Sequence, residues 1–234
     1  AGVILDAYSH ARNTLRPVAE VISERLDWMK GGPEKLVGFC DAYEAAKKER
    51  NVCDFDDLLV LWLRVLENDP AALEHYRRRF QYLLIDEFQD TNRLQSRIID
   101  LLGSHHQIMA VGDDAQCIYT WRGADWENIV AFPSRHPGTL IHSIDTNYRS
   151  TPEILAFANE ILRHRPRIEG FDRRLKAVRP GGQPPTVFTI GDTSQQAKLI
   201  GRKIIQLHNE GHPLADIHVL YRAHYQSLEL QMEL

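Results

Sequence analysis

The stretch Leu83-Leu84-Ile85-Asp86-Glu87-Phe88-Gln89-Asp90-Thr91 constrains this chain more than any other. An apolar run ends abruptly in two adjacent carboxylates. A second unit of the same kind follows at Gln107-Ile108-Met109-Ala110-Val111-Gly112-Asp113-Asp114-Ala115-Gln116. Short continuous apolar runs are how buried parallel strands read. Between the two, Arg93 to Leu102 carries Leu94, Ile98, Leu101 and Leu102 at helical spacing, which predicts a strand–helix–strand unit. Ligands of open α/β sheets sit at the carboxyl ends of the strands. Two strands are therefore expected to deliver acidic and amide groups to one sheet edge.

Those groups suit phosphate and metal chemistry. Magnesium takes oxygen ligands and is held by one or two carboxylates plus substrate phosphates. In P-loop triphosphatases an Asp at a strand end holds the metal, and a separate group orients the attacking water. Asp86 fits the first role and Glu87 the second, with adjacent strand residues diverging to face metal and water. The Gln116 amide can donate to a phosphate oxygen and accept from water. The bland alternatives are an acidic helix start for Asp86-Glu87 and turn chemistry for Gln116.

Further along stand Cys117-Ile118-Tyr119-Thr120-Trp121-Arg122-Gly123-Ala124 and then Asn147-Tyr148-Arg149-Ser150. In an extended segment Tyr119 and Trp121 would project to one side, offering flat stacking surfaces to any base. Core packing is the plain reading of two such aromatics. Taken in order, the three blocks resemble motifs II, III and IV of superfamily 1 DNA helicases of the UvrD/Rep/PcrA type. The resemblance spans most of the chain and weakens before about Asp54.

That resemblance implies an α/β fold: RecA-like parallel sheets flanked by helices, the P-loop NTPase helicase fold, with a helical N-terminal segment. It implies ATP and Mg²⁺ as cofactors and single-stranded DNA as partner, in an ATP-dependent 3′–5′ helicase or translocase. Asp86 is then the metal ligand and Glu87 the group that polarises water. Gln116 senses the γ-phosphate, Arg149 contacts it as an arginine finger, and Tyr148 stacks on adenine. Trp121 matches a base-stacking position, with Tyr119, Arg122 and Arg222 as further DNA contacts. An ion pair of Arg149 with Glu153 is the ordinary alternative.

The rest of the chain is expected to follow in this order. Residues 1–50 are helical, broken at Gly31-Gly32-Pro33, and correspond by resemblance to the end of a 1B-like insertion. Residues 51–146 form part of the first RecA-like motor domain (1A), and 147–234 the start of the second (2A). Asp54 or Asp56 caps a helix carrying Leu58, Leu59, Trp62, Leu63 and Leu66; the acids there fit no Ca²⁺ loop. Trp126 to Phe132 reads as a short helix and Pro133 to Gly138 as a loop. Strands are expected at Thr139 to Ile144, Thr186 to Ile190 and Ile217 to Tyr221. Helices are expected at Ile154 to Leu162 and Ser194 to Asn209, the latter stopped by Gly211. Arg163, Arg165, Arg167, Arg173, Arg174, Lys176 and Arg179 form a local basic patch, read either as a solvated loop or as a DNA-backbone contact.

The formal net charge of −4 over 234 residues gives no global basic field, so any nucleic-acid site must be local. No apolar run approaches the ~18 residues of a membrane span. Cys40, Cys53 and Cys117 make no disulfide or zinc pattern, which points to a reducing cytoplasm. No Gly-x-x-x-x-Gly-Lys-Ser/Thr occurs in the sequence. The resemblance is thus to a fragment lacking the Walker A loop and the C-terminal motifs, and the chain alone is expected to be inactive toward ATP. Alternative readings are a motor subunit of a helicase–nuclease complex, or a non-catalytic nucleic-acid-binding scaffold with a degenerate motor fold. A metal-dependent nuclease on Asp86, Glu87, Asp113 and Asp114 is a further alternative.

Overall fold

The computed structural model describes residues 2–29, 32–105, 107–164, 171 and 173–234, and for Arg122 the backbone alone. Gly31, Arg165 and Arg167, singled out above, lie outside the described residues. In order the elements are α1 (Gly2–Asn13), α2 (Val18–Arg25), α3 (Gly32–Arg50), α4 (Phe55–Asn68), α5 (Pro70–Arg79), β1 (Leu83–Ile85), α6 (Arg93–Leu102) and β2 (Ile108–Ala110). Then come α7 (Glu127–Val130), α8 (Phe132–Arg135), β3 (Thr146–Asn147), α9 (Pro152–Arg163), β4 (Lys176–Ala177), α10 (Thr193–Asn209) and α11 (Leu228–Glu233). The chain forms two compact units, Ala1–Asn147 with Ala158–Lys176, and Tyr148–Phe157 with Ala177–Leu234.

Local chemistry explains where the helices begin. Asp54 caps α4 in a reciprocal capping box with Asp57, and Asn92 does the same for α6 with Gln95. Asp69 caps α5, with Pro70 in its first turn, and Asp192 caps α10. After α10 the chain turns at Gly211 with φ of 97°, where a side chain would be strained.

The first unit has three apolar clusters. Ala7, Ala11, Val21, Ile22 and Leu36 hold α1, α2 and α3 together. Leu63 and Leu66 of α4 meet Leu94, Ile98 and Leu102 of α6, with Leu83 of β1 beside them. Phe88, Ile129 and Phe132 pack against Ile85, Ile108 and Ala110. The N-terminal helices therefore share one compact unit with the sheet.

β1 and β2 pair in parallel, with Leu83, Leu84 and Ile85 opposite Ile108, Met109 and Ala110. The continuous apolar runs predict burial of both faces, but only one face is covered. Leu84 is 75% and Met109 54% exposed; the packed clusters lie on the side of Leu83, Ile85, Ile108 and Ala110.

The sheet is smaller than expected. Among the described residues it is two-stranded, as is the pairing of β3 with β4. Thr139 to Ile144, Thr186 to Ile190 and Ile217 to Tyr221 are not strands. A strand exists only through a hydrogen-bonded ladder, and these segments show none; Leu140, Val187 and Leu220 are 80%, 84% and 93% exposed. Instead Thr146–Asn147 pairs beyond the expected third strand, where the Lys176 amide donates to the Asp145 carbonyl at 2.8 Å. The expected loop after Phe132 is partly helical, as α8. A RecA-like α/β architecture accords with the helix-flanked parallel pair, while the full sheet is not seen here. Among the described residues no helix is long and apolar enough to cross a membrane.

Candidate functional site

β1 and β2 end side by side. The Val111 amide donates to the Ile85 carbonyl at 2.8 Å, and the Phe88 amide to the Val111 carbonyl at 2.9 Å. This pairing carries the two acidic turns out together. Asp86 and Glu87 follow β1, and Asp113 and Gln116 follow β2; all four line one cleft of about 720 Å³ in the first unit. Of the predicted site residues, the structure thus brings Asp86, Glu87 and Gln116 together.

The backbone at the two carboxylates does not continue the strand alternation. The strand stops at Ile85, and Glu87 adopts a left-handed conformation with φ of 49° and ψ of 43°. Such a conformation costs a non-glycine residue about 1–3 kcal/mol and persists only where surrounding structure fixes it. Here the fixing bonds are visible. The Glu87 amide donates to Asp86 Oδ1 at 2.9 Å, and the Asp90 amide donates to the Glu87 carbonyl at 2.9 Å.

Gln89, which sequence reasoning passed over, is the centre of this turn. Its side chain is 1% exposed. Nε2 donates to Glu87 Oε2 at 2.6 Å, and Oε1 accepts the Asp113 amide at 2.9 Å. The Cys117 thiol donates to its carbonyl at 3.3 Å. Gln116 reaches back through Nε2 to Asp113 Oδ2 at 2.7 Å. The signal available in the sequence was an amide two residues past the acidic pair.

Nearby charges are also arranged. Burial, with the Glu87 charge adding to it, pushes the Asp90 carboxyl up, and its Oδ1 is buried with no hydrogen-bond partner. Arg173 from the predicted basic patch is ion-paired to Asp113 and lies 4.0 Å from Asp114. Three further patch residues are also engaged: Arg163 with Glu160, Lys176 with Asp145, and Arg179 with the Arg149 carbonyl.

For a metal, the donor set is sparse, and among the described residues no three His, Cys, Asp or Glu cluster as ligands. That suits Mg²⁺, which keeps waters and relies on substrate phosphates beyond one or two carboxylates. Asp86 would hold it; Glu87, Gln116 and Asp113 border the same cleft. The residues present fit the metal and γ-phosphate side of a nucleotide. At the start of α4, Asp54 and Asp57 instead cap the helix and pair with Lys47.

The aromatic pair lies on a 3-10 turn, Thr120–Arg122, rather than on an extended segment. Gly123 closes the turn with φ of 86°, and a Cβ there would stand 3.2 Å from Thr14 and 3.6 Å from Asn13. The turn is thereby seated on the end of α1. Tyr119 and Trp121 still become neighbours, ring centroids 6.4 Å apart. Exposures of 39% and 60% exclude a core role. The Arg122 side chain lies outside the described residues.

Tyr148, Arg149 and Arg222 belong to the second unit. Tyr148 is 74% exposed. The Glu153 carboxylate accepts the Gly182 amide at 2.8 Å, and that bond keeps its pKa low. Arg222 borders a smaller cleft of about 270 Å³ with Thr193, Gln196 and Tyr221. Gln226 Oε1 accepts the amides of Arg222 at 3.0 Å and Ala223 at 2.9 Å.

Comparison with known proteins adds to this geometry. Residues 23–137 match the family model of the UvrD/REP helicase N-terminal domain, and residues 142–234 that of the UvrD-like helicase C-terminal domain. The chain is 30% identical over 230 residues to a protein of Staphylococcus aureus named ATP-dependent DNA helicase PcrA. It is equally similar to the protein of that name from Staphylococcus epidermidis. The match covers 98% of this chain and 31% of the relative, so the chain spans about a third of the length of the curated relatives it matches.

Proposed function

The chain belongs to the UvrD-like helicase family, and from that premise we propose that it is a portion of an ATP-dependent 3′–5′ DNA helicase or translocase. It would couple ATP hydrolysis to movement on single-stranded DNA. The observation that carries this reading is the placement of Asp86, Glu87 and Gln116 around one cleft at the ends of two paired parallel strands. In domain terms, residues 1–50 are the end of a 1B-like segment, 51–146 part of motor domain 1A, and 147–234 the start of 2A.

The roles follow from chemistry. Bound Mg²⁺ supplies charge neutralisation at the phosphates, and Asp86 is its ligand. Glu87 orients and polarises the attacking water through its carboxylate. Gln116, on the turn after β2, donates to the γ-phosphate. Arg149 offsets charge developing on the transferred group, a contact worth ~10³–10⁵ in rate in other triphosphatases, and Tyr148 stacks on the adenine. Trp121 and Tyr119 present rings to bases, and Arg122 and Arg222 contact the strand. Three free cysteines suit a cytoplasmic setting. A metal nuclease on the four acids is disfavoured, since Arg173 pairs with Asp113.

Glu87→Gln in the complete gene product tests the reading. ATP hydrolysis falls by at least about 10², the low end for loss of a positioned acid–base group, while Mg²⁺-dependent nucleotide binding persists. Unchanged hydrolysis would remove Glu87 from the reaction.

A further inference from the structure

One buried side-chain amide, that of Gln89, links the Glu87 carboxylate to the turn after β2. Glu87 is exposed and left-handed, so an unaided side chain there would sample several rotamers. Its Oε2 is taken by Gln89 Nε2 at 2.6 Å, which fixes one oxygen of the carboxylate. The other end of the same amide is fixed by the Asp113 N–H at 2.9 Å.

Gln89 itself cannot easily move. It is 1% exposed, and a Cβ on Gly112 would stand 2.7 Å from its Oε1. Gly112 thus leaves room for this amide and for little else. From Asp113 the contacts continue to Gln116, through Nε2 to Oδ2 at 2.7 Å. Glu87, Gln89, Asp113 and Gln116 form one connected set across both strand ends.

The geometry points to Gln89 as a positioning residue that holds the Glu87 carboxylate in register with the Gln116-bearing turn. The inference rests on the proposed role of Glu87 in hydrolysis. Gln89 donates to one carboxylate oxygen and thereby orients the other toward the place of the attacking water. It touches no reactant. Because its two polar ends are bonded to the turns that follow different strands, a shift of the β2 turn is transmitted to the carboxylate.

Two variants separate the bonds. Gln89→Glu keeps the volume and an acceptor for the Asp113 amide, and loses the donor to Glu87. Gln89→Met keeps the approximate volume and removes both bonds. In the complete gene product each lowers kcat for ATP on the order of 10–100-fold, the usual cost of losing a partner that orients a reacting group, with KM for ATP within about twofold. In a Glu87→Gln background, Gln89→Met costs nothing further in single-turnover hydrolysis, because residues acting as one unit are non-additive. A second readout needs no nucleotide. In the 234-residue chain, the Gln89 side-chain amide exchanges slowly with solvent by NMR, and Glu87→Ala speeds that exchange.

Wild-type kcat in both variants overturns the inference, as does an additive loss in the Glu87→Gln background. So does amide exchange indifferent to Glu87→Ala. If Glu87→Gln alone sharply reduces hydrolysis while the Gln89 variants match wild type, only the positioning role fails. If Glu87→Gln leaves hydrolysis intact, both it and the proposed function fail.

Discussion

At the residue scale, His10 of α1 sits beside the aromatic turn. Arg25 Nη2 lies 3.1 Å from His10 Nε2. A guanidinium only donates, so Nε2 accepts and the ring is neutral with its proton on Nδ1. Nδ1 is buried without a hydrogen-bond partner of good geometry, and the Trp121 backbone faces the ring. Burial lowers the His10 pKa, and the charges of Arg25 and Arg16 lower it further, against smaller raising effects from Trp121 and Glu24. The unfolded chain therefore binds this proton more readily. The stability from neutral His10 is fully present above its unfolded pKa of about 6.5 and is lost as pH falls toward the lower folded value. Urea midpoints between about pH 5 and 7 should rise with pH, and His10→Gln should flatten that slope; an unaltered slope would contradict the assignment. Trp121 above it is predicted to lose about 1–3 kcal/mol of single-strand affinity as Trp121→Ala, measured by oligonucleotide titration. Unchanged affinity would exclude stacking. Residue type and spacing singled out Asp86, Glu87 and Gln116, which the structure sets around one cleft. The sequence did not reveal the left-handed backbone of Glu87, because that depends on where the β1–β2 ladder stops. It missed Gln89 because the bonds of Gln89 reach across the sequence to Asp113.

At the scale of elements, helices were the most legible. α3, α4, α6 and α10 lie where periodicity, an Asp54 cap and Gly211 put them. The peripheral strands were not, since an apolar run says nothing of whether a partner ladder exists. What ties α1, α3 and α4 together was equally hidden. Lys47, 7% exposed at its side chain, bonds Asp57 Oδ2 at 2.7 Å and Asp54 Oδ2 at 2.8 Å. Arg12 of α1 reaches Asp57 Oδ1 at 2.6 Å. Read from the sequence, Lys47-Lys48-Glu49-Arg50 is a solvated face; Lys47 has turned inward. Burial would raise Asp57, yet bonds from Lys47, the Asp54 amide and Arg12 hold it at about 2. Burial would lower Lys47, but Asp54, Asp57 and Glu44 hold its ammonium well above the ordinary value. Removing one partner strands the others, so Lys47→Ala is predicted to cost about 3–5 kcal/mol of unfolding free energy. A loss below about 1 kcal/mol, the level of a surface ion pair, would show that the network is open to water.

At the scale of the molecule, the first unit sets Asp86, Glu87 and Gln116 around one cleft, the groups proposed to ligate the metal, orient the water and meet the γ-phosphate. Its sequence contains no glycine-rich phosphate loop, and backbone amides of such a loop are what cradle the phosphates in this class of enzyme. Tyr148, Arg149 and Arg222 belong to the second unit. The family was legible because its chemistry is concentrated in short ordered blocks, whereas the arrangement around those blocks depends on long-range packing. The central claim is that these groups belong to a DNA-stimulated ATPase. The most direct measurement is steady-state ATP hydrolysis, with and without single-stranded DNA, by the complete gene product and by the 234-residue chain side by side. The complete product should show DNA-stimulated turnover and this chain none. Silence from both with DNA present, or hydrolysis by this chain that Glu87→Gln abolishes, would contradict it.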